Sequence, residues 1–186
     1  MRTTTRRSCA ALVLAFVFGS TLAQVAAQRK LPSGDPCTVV PLAEVQKAFP
    51  GARPGVRDRH LEEYGSTQCA WSDARGQVVF AVQESYGSNS AMEEAQGQAL
   101  AFLDPLVPPS TAKVRYETLA GIAPEAVAFV ESGDPKRGIL GDGSLLVLRK
   151  GQHTLTLMSP VLPRRDRAAA LKVYEDLGRV AARRLD

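Results

Sequence analysis

Ser66-Thr67-Gln68-Cys69-Ala70-Trp71-Ser72, then Asp73-Ala74-Arg75-Gly76, then Gln77-Val78-Val79-Phe80-Ala81-Val82-Gln83-Glu84-Ser85: the reading of this stretch decides the fold class. Two runs with strand character flank four residues of turn chemistry, which reads as an antiparallel hairpin. Val78, Phe80 and Val82 recur at a period of two, which puts them on one side of the second strand. On the upstream side, Pro41 suits the first turn of a helix, Leu42, Val45 and Phe49 recur on one face, and Pro50-Gly51 ends it. Between that helix and the hairpin, residues 52–65 hold Arg53, Arg57, Asp58, Arg59, His60, Glu62 and Glu63. They read as an irregular loop with room for a short edge strand.

Downstream, Ser90 and Glu93 have the spacing of a capping box. Met92, Ala95 or Gln96, Ala99, Phe102 and Leu103 continue at helical period until Asp104-Pro105. Pro105, Pro108 and Pro109 make a stiff connection between two halves of one domain. Four strand-like runs follow at 114–119, 126–131, 144–149 and 153–159, with Lys150-Gly151 as a tight turn between the last two. Residues 165–185 place Leu171, Tyr174, Leu177, Ala181 and Leu185 on one flank of a long helix and Arg167, Lys172, Glu175, Arg179 and Arg183 toward water. The order is helix, strands, helix, strands, helix, without regular β-α-β alternation. The expected fold is a single α+β domain, a mainly antiparallel sheet packed against two or three helices that include a long C-terminal one.

The N-terminus reads as a secretory signal. Residues 1–8 carry Arg2, Arg6 and Arg7 and no acid, residues 9–22 are nearly continuous apolar sequence, and Val25-Ala26-Ala27 offers small residues at the -3 and -1 positions. Cleavage is expected between Ala27 and Gln28, leaving a flexible leader at 28–36 and a domain at 37–186. A retained anchor would need about twenty apolar residues, more than this run supplies, and no later stretch is long enough to span a bilayer. Arg6-Arg7 lacks the bulky apolar residues that follow a twin-arginine signal, so the general export route is favoured, to the periplasm or beyond. Cys37 follows Gly34-Asp35-Pro36 rather than the small residues a lipid-acceptor cysteine requires.

Processing changes the bulk properties. The chain of 186 residues has 23 Lys+Arg and 19 Asp+Glu; loss of three bases and no acids takes the net charge from +4 to +1. Long-range attraction for nucleic acid largely disappears with it. Of three cysteines, Cys9 leaves with the signal, and Cys37 and Cys69 remain as an even pair in an oxidising compartment. They are expected to form a disulfide; two buried free thiols are the competing reading. Zinc ligation lacks its paired C-x-x-C spacing.

Candidate chemistry is sparse. His60 with Glu62 and Glu63 is weighed as a transition-metal site against an exposed solvated loop, which fits the spacing better. His153, at the start of a strand, reads as a cross-strand surface residue rather than a catalytic base. Gly138, Gly141 and Gly143 around Asp142 have neither the spacing nor the following helix of a phosphate loop, and Asp134-Pro135 with Asp142 does not reproduce a calcium loop. No G-x-S-x-G elbow supplies a nucleophile. Trp71, the single tryptophan, reads as a structural ring against the disulfide, ahead of a ligand-stacking residue. Arg164, Arg165, Arg167, Arg179, Arg183 and Arg184 read as a solvated helix face, ahead of a contact with an envelope polymer or lipid headgroup.

Cys37 before the helix Leu42-Ala43-Glu44-Val45, Cys69-Ala70-Trp71 opening a strand, Gly121-Ile122-Ala123-Pro124-Glu125-Ala126 before another strand and a basic C-terminal helix occur together over most of the mature chain. In this the chain resembles a family of uncharacterised bacterial secreted proteins and lipoproteins that has a cysteine before the first helix and a Cys-x-Trp in the first sheet. The resemblance implies the α+β fold and the Cys37 to Cys69 bond, and no catalytic residues. Members are typically lipid-anchored, and this chain departs from them in lacking the acceptor motif. The sequence therefore points to a non-enzymatic exported protein, without cofactor, that binds an envelope or extracellular partner through a sheet face, a sheet edge or the loops 52–65 and 132–143. The second reading is a hydrolase, or an inhibitor of one, using carboxylates such as Glu62, Glu63, Glu125 or Asp142.

Overall fold

The computed structural model describes residues 32, 34–106 and 114–185. The signal segment, the Ala27–Gln28 junction, most of the leader and Pro108-Pro109 lie outside them. Helix α1 (Leu42–Ala48) is followed by β1 (Val56–Asp58), β2 (Ser66–Ser72), β3 (Val78–Tyr86), α2 (Ala91–Ala99), β4 (Tyr116–Thr118), β5 (Glu125–Glu131), β6 (Gly143–Lys150), β7 (His153–Ser159) and α3 (Arg167–Ala181). All seven strands join one antiparallel sheet in the order β1-β2-β3-β7-β6-β5-β4. The fold is α+β.

Local chemistry explains the element ends. Ser90 Oγ accepts from Glu93 N at 3.2 Å while Ser90 N donates to Glu93 Oε2 at 2.7 Å, the reciprocal cap that its spacing anticipates. Asp166 starts α3 by accepting from Ala169 N at 2.8 Å. The Lys150-Gly151 turn closes with Gly151 at φ 62°, a conformation that favours glycine.

The helices divide between the two faces of the sheet. On one face α1 and α3 cover a core of Trp71, Phe80, Val82, Leu146, Leu148, Leu155, Leu157, Tyr174 and their neighbours. On the other, α2 presents Ala91, Ala95 and Ala99 to Val127, Phe129, Leu145 and Val147 of β5 and β6. Strands β5 and β6 are therefore sandwiched, and Val127 and Leu145 are buried as fully as Ala128 and Leu146. Strands β2 and β3 have no helix on the second face. Their side chains alternate: Cys69, Trp71, Phe80 and Val82 are buried, while Gln68, Ala70 and Gln83 are only partly covered.

Residues 52–65 hold the short edge strand for which the sequence left room, since β1 pairs with β2 from Val56↔Ala70 to Asp58↔Gln68 and a 3-10 turn follows at Glu62–Tyr64. One expectation needs correction. Val78 does not share the core side of Phe80 and Val82. The register slips between Trp71 and Ser72, so Val78 pairs with Ser72 and is 43% exposed.

Candidate binding surface

Cys37 and Cys69 are joined, with Cα atoms 5.0 Å apart, so the first ordered turn is tied to β2. Trp71 is 1% exposed and its ring lies 5.4 Å from Phe80, which stacks in turn on Phe49. Gly55 fits against both the bond and the indole. A β-carbon there would come within 2.8 Å of Trp71 Cε2 and closer still to Cys69 Sγ. Trp71 is thus a structural ring beside the disulfide, held where the chain enters β1.

The other sequence candidates are dispersed into structural contacts. His60 N donates to Asp58 Oδ1 at 2.9 Å, while Glu62 accepts from Arg57 at 2.7 Å. Among the described residues no group of three or more His, Cys, Asp or Glu side chains stands close enough to hold a metal ion. Glu125 Oε1 pairs with Arg149 at 2.7 Å and its Oε2 accepts from Ala91 N at 2.9 Å, which anchors the start of α2. Asp142 Oδ1 accepts from Gly133 N at 3.0 Å within the loop before β6, and Gly143 lies under the Phe102 ring. The structure does not bring these carboxylates to one cleft.

The basic cluster also separates. Arg167 pairs with Glu117 of β4 and donates to Val130 O at 3.1 Å; Arg164 donates to Pro163 O at 2.7 Å; Arg179 reaches Gly121 O at 3.4 Å; Arg165 and Arg183 are exposed. Arg184 turns inward to Glu84.

Glu84 is the residue that sequence reasoning passed over. It is 1% exposed, its Oε1 is 2.7 Å from His153 Nε2, and Arg184 Nε donates to the same oxygen at 3.3 Å. His153 stacks on Tyr86 with ring centroids 4.8 Å apart and keeps only 15% of its side chain exposed, so it is a paired, largely enclosed residue and not a surface one. The signal was present in the alternation: Glu84 follows Phe80 and Val82 at period two, and His153 precedes Leu155 and Leu157 in the same way. A second enclosed polar group joins α3 to the sheet. Ser144 Oγ donates to Tyr174 Oη at 2.9 Å, and burial pushes the Tyr174 phenol well above its ordinary range despite that bond.

What remains accessible is the second face over β1, β2 and β3. Its residues form cross-strand rows that run on into β7, Ser66↔Ser85↔Thr154, then Gln68↔Gln83↔Thr156, then Val56↔Ala70↔Ala81↔Met158, and at the β7 end Thr154 and Thr156 are buried and Met158 packs against the α2 cluster. At the hydroxyl row a trough of about 440 Å³ opens, bounded by Tyr64 on one side and by residues 87–89 and Glu94 on the other. At the apolar row a second hollow of about 570 Å³ lies beside the edge strand and includes Val56, Ala70 and Ser72. Both belong to the same uncovered half-face.

Comparison with protein-family models, with curated proteins and with solved structures gave no match to this chain. Of what the resemblance implied, the Cys37–Cys69 disulfide and the α+β fold are present. Among the described residues no helix is long and apolar enough to cross a membrane.

Proposed function

We propose that this is an exported, non-enzymatic binding protein whose working surface is the uncovered part of the sheet, formed by β1, β2 and β3. The observation that carries the reading is the unequal coverage of one continuous sheet. Two strands are closed on both faces by helices, while β1, β2 and β3 present rows of side chains and two hollows on the face that no helix covers. The Cys37–Cys69 bond supports maturation in an oxidising compartment. Of the carboxylates considered for hydrolysis, Glu62, Glu125 and Asp142 are engaged in separate structural contacts.

Two measurements test it. Intact mass of the product recovered outside the cytosol should begin at Gln28 and gain two hydrogens on reduction; a full-length chain with alkylatable thiols would refute export. Retention on an envelope preparation from the producing cells should be lost in the double variant Gln68→Arg, Gln83→Arg and kept in Lys172→Glu on the outer side of α3. Equal retention of both variants, or no retention of the wild type, would refute the surface assignment.

A further inference from the structure

The trough at the hydroxyl row has a chemistry specific enough to name a ligand class, and this step rests on the surface assignment just made. We infer that it takes a neutral, polyhydroxylated ligand, a segment of oligosaccharide held by hydrogen bonds to Ser66, Gln83, Ser85, Asn89 and Thr154 and covered at the mouth by Tyr64.

Register makes the first argument. Ser66, Ser85 and Thr154 lie side by side on three adjacent strands, and Gln83 stands one step along the same face. Strands about 4.8 Å apart with a two-residue repeat of about 6.7 Å turn these side chains into a regular grid of donors and acceptors. Such a grid matches a ligand whose own hydroxyls recur at short, regular intervals.

The second argument is that the grid is not used by the fold. Ser66 and Thr154 are only 8% and 5% exposed, and both line the trough. Among the described residues neither side chain is hydrogen-bonded to another protein group, and the same is true of Gln83, Ser85 and Asn89. Buried hydroxyls are ordinarily paired, so a row of them left open toward a hollow is a surface waiting for polar partners.

Charge supplies the third argument. The trough has no Lys, Arg or His in its lining, and its one carboxylate, Glu94, already accepts from Gln98 Nε2 at 3.0 Å. A phosphate, sulfate or polyanion finds no counter-charge, so the complementary ligand is neutral. A peptide added as an extra strand is disfavoured because β3 and β7 are paired on both sides and, at the outer edge of β2, Ser66 N already donates to Leu61 O at 3.0 Å. Tyr64, 60% exposed at the end of the 3-10 turn, contributes an aromatic body and a polar tip, which suits stacking on the C–H face of a sugar ring.

The test applies the full mature chain, disulfide intact, to an immobilised panel of neutral glycans (α- and β-glucan, mannan, galactan and chitin oligosaccharides) with heparin as the polyanion control. Saturable binding to at least one neutral glycan is expected, unchanged by a tenfold rise in salt. Titration calorimetry on that glycan should show binding weakened about tenfold or more in Gln83→Ala, Thr154→Val and Tyr64→Ala, and unchanged in Leu140→Ala on the far loop. Near-ultraviolet circular dichroism of each variant separates loss of binding from loss of fold. Binding to heparin alone, no binding to any neutral glycan, or binding indifferent to the trough variants would overturn the inference. If envelope retention still depends on Gln68 and Gln83 while no glycan binds, the ligand class falls and the surface assignment survives. If retention fails as well, both fall.

Discussion

Reduction of the Cys37–Cys69 bond is the perturbation whose size follows most directly from the structure. The bond closes a loop across a sequence separation of 32 residues. On the chain-entropy relation, a loop of that length restricts the unfolded ensemble by about 12.5 cal/mol/K, which is about 3.7 kcal/mol at 25 °C. Total stability of a domain this size is of order 5–15 kcal/mol, so the bond supplies a large share of it. Urea unfolding followed by Trp71 fluorescence, with and without dithiothreitol, measures the effect. With a slope of about 2 kcal/mol per molar urea, the midpoint should fall by about 2 M on reduction. The slope itself should rise, because the unlinked chain exposes more surface when it unfolds. Since Cys69 is wholly buried beside Trp71 and Gly55, the double variant Cys37→Ala, Cys69→Ala should lose at least as much. A shift equivalent to less than about 1 kcal/mol would refute the reasoning, for it would mean that the first turn is held to β2 by packing and not by the covalent link.

Gly55→Ala should destabilise by about 2 kcal/mol, because its methyl group would press on the Trp71 ring and on Cys69; a melting temperature equal to wild type would show that the entry to β1 can shift. Glu84→Ala removes the acceptor shared by His153 and Arg184 in an enclosed site and should cost about 3 kcal/mol in chemical unfolding, whereas a change below about 0.5 kcal/mol would mark the contact as incidental. Burial raises the Tyr174 phenol, and burial followed by the nearby Glu131 carboxylate raises that of Tyr116. The sign follows from the neutral form being the native one: the unfolded chain releases these protons near pH 10, the folded chain holds them, so stability is intact below about pH 10 and declines as pH climbs beyond it. Absorbance titration at 295 nm should show a delayed component from Tyr116 and Tyr174 in the native protein that disappears in urea and in Tyr116→Phe, Tyr174→Phe; a native titration curve without that component would contradict this.

Period-two alternation made the β2–β3 hairpin legible, and the same alternation carried the inward position of Glu84 for a reader willing to follow it past Val82. The run Leu145-Leu146-Val147-Leu148 was legible as a strand, but its continuity carried a further message. A strand without alternation is one covered on both faces, and here α2 and α3 do the covering. Val78 was misplaced because a bulge is a property of paired strands and leaves no mark in one strand's own pattern. The hydroxyl and amide rows escaped notice for a related reason: Ser66, Gln83, Ser85 and Thr154 are ordinary outward residues until register aligns them.

The sequence by itself determined the main elements, their antiparallel class, the cap of α2 and the pairing partners available to sulfur, since these depend on contacts between residues near in the chain or on the arithmetic of two cysteines. Tertiary structure alone decided which face each helix covers, that His153 meets Glu84 across a separation of 69 residues, and that half of one sheet face stays open. Those outcomes rest on how α2 and α3 cross the sheet, a choice made by the fit of Ala91, Ala95, Ala99 and Gly178 against the strands beneath them. Side-chain fit between distant segments is a relation in space, and no window along the chain contains it.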